Sequence, residues 1–136
     1  MRKMLTLFVL LTLGILSLAV AREPEKLYSA TTDPDGVQRV ELVGGSYFFR
    51  PNHIIVKVNV PVELKVKKEG GMTPHNIVLK APEAGIDIET PMKEEPKTIT
   101  VTATQTGVYH FYCSKKLLFL ESHREKGMEG VLEVVQ

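Results

Sequence analysis

The sequence predicts an all-β fold, an antiparallel sandwich or barrel of seven or eight strands. Three observations carry this expectation. Apolar residues recur with period two in several short runs. Val, Ile and Thr supply 29 of the 115 residues from 22 to 136, a bias suited to pleated surfaces. Turn-forming pairs rich in Gly, Pro and Asp punctuate the runs, and no long segment of period 3.6 exists.

Taken in order, Asp33-Pro34-Asp35-Gly36 is a turn before the first strand. Gly44-Gly45 separates Arg39–Leu42 from Tyr47–Arg50, a short hairpin signal. Ile54, Val56, Val58 and Val60 alternate with Ile55, Lys57 and Asn59; beyond Pro61, Val62, Leu64 and Val66 alternate with Glu63, Lys65 and Lys67. Gly70-Gly71 ends that run. Ala81–Lys97, with three prolines, reads as mostly loop with room for a helical turn, and Lys115–Glu121 could hold another. Thr98–Ala103, Val108–Cys113 and a last run around Leu132 and Val134 complete the strands. Lysines at 65, 67 and 68 and prolines at 51 and 61 protect edges.

The first 21 residues differ from the rest. Arg2-Lys3, an apolar block from Leu5 to Val20 and the small-residue ending Ala19-Val20-Ala21 describe an export signal, cleaved to leave residues 22–136 as one domain. An uncleaved anchor is the other reading, and its apolar run of 16 positions is slightly short for a span. Removing the leader takes Lys+Arg from 17 to 15 against 16 Asp+Glu, so net charge moves from +1 to −1. That balance excludes a nucleic-acid footprint. The length excludes a two-domain enzyme. A single Cys cannot form an internal disulfide, so an exported chain needs another reason to keep it.

Four side chains supply that reason: His75, Cys113, His123 and Met128. Cys113 ends a strand, His123 and Met128 follow on the next loop, and His75 lies beside an earlier one. Strand ends of a sandwich gather at a pole, where these groups can meet. Two imidazoles, a thiolate and a thioether form a ligand set suited to copper. Met72, three residues before His75, is an alternative thioether. Cys113 could instead be a buried core residue, or a nucleophile with His123 as its base. His53 and His110 read as structural.

Gly107-Val108-Tyr109-His110-Phe111-Tyr112-Cys113-Ser114, then His123 through Gly130, with Pro74-His75-Asn76-Ile77-Val78 upstream, resembles the cupredoxins, small blue-copper proteins. The resemblance covers about Tyr47 to Gln136. It implies a Greek-key sandwich, and one copper ion cycling between Cu(I) and Cu(II). His75, Cys113 and His123 would be the equatorial ligands and Met128 the weak axial one. It further implies that the Asn76 N–H donates to the Cys113 sulfur, while the Asn76 side chain ties two loops through Ser114. Because no twin-arginine signal is present, copper would arrive after export.

One departure stands out. Cupredoxins usually place two to four residues between the Cys and the second His, and here there are nine, Ser114 to Ser122. Within them, Leu117-Leu118-Phe119-Leu120 either folds over the sandwich or forms an exposed docking patch. The expected function is a periplasmic or secreted electron carrier without enzymatic activity, passing electrons between a redox donor and acceptor and docking near Leu117–Leu120. No stable membrane insertion is expected after cleavage. The alternatives are a copper carrier and an accessory module of a respiratory oxidase.

Overall fold

Alternating apolar residues become alternating burial. In a computed structural model, which describes residues 24–136, Val40 and Leu42 on one strand and Val62, Leu64 and Val66 on its neighbour turn inward, while Glu41, Lys65 and Lys67 face water. The expected export signal, residues 1–21, lies outside the described residues.

Ten strands are described: β1 Leu27–Ser29, β2 Gln38–Gly45, β3 Phe48–Arg50, β4 His53–Lys57, β5 Val62–Lys68, β6 His75–Ala81, β7 Ile86–Met92, β8 Lys97–Val101, β9 Gly107–Tyr112 and β10 Glu129–Val135. They form a six-stranded sheet in the order β1-β4-β10-β9-β6-β7 and a four-stranded sheet in the order β3-β2-β5-β8. The inner faces meet in one core, in which Phe49 from the smaller sheet and Phe111 from the larger pack edge to face with centroids 5.2 Å apart.

The sandwich is borne out, but its sheets are mixed. β1 and β10 each pair parallel with β4, and β2 pairs parallel with β5. The chain crosses to the other sheet between such partners, so they lie side by side without a hairpin. The higher strand count comes partly from β1 and β3, of three residues each. β1 also precedes the Asp33–Gly36 turn, which was expected to open the first strand.

Three local expectations change. The Ala81–Lys97 connection is a single 3-10 turn, Pro82–Ala84, followed by the full strand β7 with Ile86, Ile88, Thr90 and Met92 buried. Pro91 is tolerated because β7 lies at the sheet edge, where a missing N–H breaks no ladder. Gly44 and Gly45 belong to β2, and the hairpin turn is Ser46-Tyr47, with Tyr47 at φ 66°. Lys115–Glu121 is irregular chain around a tight turn at Leu118–Leu120, without helix.

Strand direction locates the site. β9 ends where β10, β4 and β6 begin, so Tyr112, Glu129, His53 and His75 mark one pole of the larger sheet. The Ser46-Tyr47 turn of the smaller sheet reaches that pole too, since Tyr47 packs on His123.

Candidate metal centre

Three strand ends deliver the site. Cys113 follows β9 directly, its N–H donating to the Met128 carbonyl at 3.1 Å, just before β10. His75 opens β6. His123 returns to them because its N–H donates to the Lys115 carbonyl at 2.9 Å, closing the long loop at its base. The next residues are set by Ser122, whose N–H donates to Glu125 Oε2 at 2.6 Å and whose Oγ accepts from the Glu125 N–H at 3.2 Å. This reciprocal cap winds residues 122–127 into one turn, and the Met128 N–H then donates to the His123 carbonyl at 2.9 Å.

His75, Cys113 and His123 are all buried and bring one donor atom each to within 4.8 Å of the others. His123 Nδ1 stands 3.4 Å from the Cys113 sulfur and 3.2 Å from His75 Nδ1. Two imidazole nitrogens facing each other can share only one proton, whereas a cation between them satisfies both. Atoms sharing a tetrahedral ion at about 2.0–2.3 Å stand about 3.3–3.6 Å apart, close to the separations present here. Donor chemistry and spacing therefore fit a metal ion.

The expected supports are in place. The Asn76 N–H donates to the Cys113 sulfur at 3.5 Å. Asn76 Nδ2 donates to Ser114 Oγ, and the Ser114 N–H donates to Asn76 Oδ1, both at 2.8 Å. The two loops that carry His75 and Cys113 are thus cross-tied on both sides.

Comparison with known proteins points the same way. Chloroplastic plastocyanins from Hordeum vulgare and Oryza sativa subsp. indica are 33% and 34% identical over 98 residues, 67% of this chain. The chain spans 57% of the length of each. Reduced auracyanin from Roseiflexus castenholzii superposes with a TM-score of 0.57 at 21% identity, covering 79% of this chain and 99% of that one. The chain is a cupredoxin. No family model matches it. The fold is shared more widely: the metal-binding domain of the Cu(I)-exporting P-type ATPase CopA of Streptococcus pneumoniae D39 gives a TM-score of 0.62 at 21% identity, covering 84% of this chain and 100% of that one.

The two thioethers considered as ligands of this cupredoxin occupy opposite surroundings. Met128 is fully buried and Met72 fully exposed. Gly44 opposes Met128 across the sandwich: a Cβ there would stand 3.1 Å from Met128 Cε and 3.0 Å from Met92 Cε. Gly44, legible only as half of a turn signal, is instead the floor of a methionine pocket, while Gly45 faces Phe48.

Tyr47 was also missed, since nothing marks a turn residue as a site wall. Its ring meets that of His123 edge-on, with centroids 5.0 Å apart, and Lys126 Nζ lies 4.3 Å from its ring centre. Burial, then His123 and Lys68, push His75 down to about 4. Burial, then Lys126 and Lys115, lower His123 as well. Both shifts favour the neutral imidazole, the form that binds a metal.

His53 and His110 lie away from this cluster. His53 is held between Glu25, at its Nδ1, and Glu133, 2.9 Å from its Nε2; His110 is exposed on the outer face of β9. Leu117, Leu118, Phe119 and Leu120 are exposed too, so the run does not fold down over the sandwich.

Proposed function

We propose that this cupredoxin is an exported electron carrier holding one copper ion through His75, Cys113 and His123, with Met128 as the weak axial donor. The supporting observation is the convergence of one thiol and two neutral imidazoles in a buried, cross-tied pocket. Soft sulfur favours Cu(I) and imidazole accepts Cu(II), so the ion would supply a reversible one-electron couple. The residues do the rest. Asn76 and Ser114 hold the sulfur in one position, so the pocket needs little rearrangement between oxidation states. Phe111 and Phe49 keep the floor dry. His123 lines an open groove with Tyr47, placing one ligand edge near solvent for electron exchange with a redox donor and acceptor.

No substrate-converting activity is proposed. A periplasmic or secreted location fits the sequence of residues 1–21. The deciding experiment is titration of the purified protein with Cu(II), followed by visible absorption and electron-spin resonance. An intense sulfur-to-copper band that saturates at one equivalent and bleaches reversibly with mild reductant is expected. Weakly coloured binding with rapid loss of copper to chelators would replace this reading with copper carriage.

A further inference from the structure

The nine residues between Cys113 and His123 build a feature that the metal pocket does not use. The Leu120 N–H donates to the Leu117 carbonyl at 3.0 Å, so residues 117–120 form a tight turn. Leu118 and Phe119 occupy its two corners, with relative exposures of 79% and 88%. Turn corners usually carry Gly, Asn, Asp or Pro. Here Leu118 adopts φ 50°, a strained conformation for a bulky side chain, and this holds two large apolar groups outward.

The shape of this turn discriminates between partners. A convex spike offers no flat face to a folded protein, whereas acyl chains yield around any shape. Behind the spike, Lys115, Lys116 and Lys126 line a groove beside Glu121. Of the nearby acids, Glu129 pairs with Arg124 at 3.2 Å, and Glu125 caps Ser122 while also feeling Lys116, so Lys115 and Lys126 carry most of the free charge. Met72 forms the far wall of the groove, a second exposed apolar tip. An apolar tip backed by a basic collar matches a bilayer with anionic headgroups.

The course of the chain agrees. Pro24 and Lys26 are bonded to Asn52, and β1 runs parallel to β4, which starts at the metal pole. The chain therefore enters at that pole, four residues after its apolar run from Leu5 to Val20.

We propose that the Leu117–Leu120 turn docks the protein reversibly on an anionic lipid surface, with Leu118 and Phe119 inserted and Lys115 and Lys116 on the headgroups. The site of docking is independent of the metal, so the test uses metal-free protein. The sequence has no Trp, so Phe119→Trp in the full chain gives a single reporter at the tip. The probes are phosphatidylcholine vesicles with and without phosphatidylglycerol, some carrying brominated acyl chains. Phosphatidylglycerol should move the emission to the blue, and bromine should quench it. Adding Lys115→Gln and Lys116→Gln should weaken binding roughly five-fold per charge at low salt, and adding Leu118→Asp should abolish the shift. An unshifted tryptophan overturns the proposal, whether or not the chain sediments with vesicles. A shift that ignores phosphatidylglycerol and both lysines overturns it too, as does one produced by an acidic redox protein but not by vesicles.

Discussion

The sulfur of Cys113 and Nδ1 of His123 lie 3.4 Å apart although nine residues separate them in the chain. The His123–Lys115 backbone bond explains how: it pinches the loop shut beneath the spike. Leu118→Ser with Phe119→Ser should therefore leave the copper spectrum unchanged. Unfolding free energy should stay within about 0.5 kcal/mol, as for other exposed sites. Titration and urea denaturation check both; loss of colour would mean that the spike supports the pocket.

Asn76 is the cross-tie between the two ligand loops. Asn76→Ala removes both 2.8 Å bonds to Ser114, which should cost about 1–3 kcal/mol in the metal-free protein. Copper affinity should also fall about 10–100-fold, the usual loss when a support of a metal ligand is removed. A lower urea midpoint with unchanged slope, together with competition against a copper chelator, tests the pair of effects.

Gly44 gives the methionines their room. Gly44→Ala should destabilise by about 1–3 kcal/mol through overpacking. It should also shift the visible band, since Met128 must move. Met128→Leu should retain copper and raise the reduction potential, whereas Met72→Leu should change neither potential nor spectrum. If voltammetry finds the potential following Met72, the axial assignment belongs there.

Two histidines give metal-free stability opposite pH dependences. His75 is lowered to about 4 by burial first, so the unfolded chain takes up a proton that the folded chain refuses; stability falls as pH drops from about 6.5 towards 4. His53 is raised by Glu25 first and then Glu133. Its contribution is complete below about 6.5 and disappears as pH rises through the folded value. His75→Asn should flatten the acid limb and His53→Gln the neutral-to-alkaline one, read from urea midpoints across pH.

Strand identity was largely legible in the sequence, because period-two alternation directly encodes one wet and one dry face, as at Val62, Leu64 and Val66. β7 was not, since Pro91 reads as a strand breaker until the strand is known to lie at an edge. The ligand candidates were legible because Cys, His and Met are scarce and bunched near strand ends.

The sequence by itself determined the all-β class, the four candidate ligands and the unusual length of the Cys113–His123 loop, and its resemblance to the cupredoxins implied the Asn76 support. Tertiary structure decided what depends on approach in space. Gly44 became a floor for Met128, Tyr47 a wall for His123, and Met72 an exposed tip. It also decided that Leu117–Leu120 stands in solvent, because four consecutive apolar residues carry no period that could point them inward or outward. Only the backbone bonds at Lys115 and Leu117 set that direction.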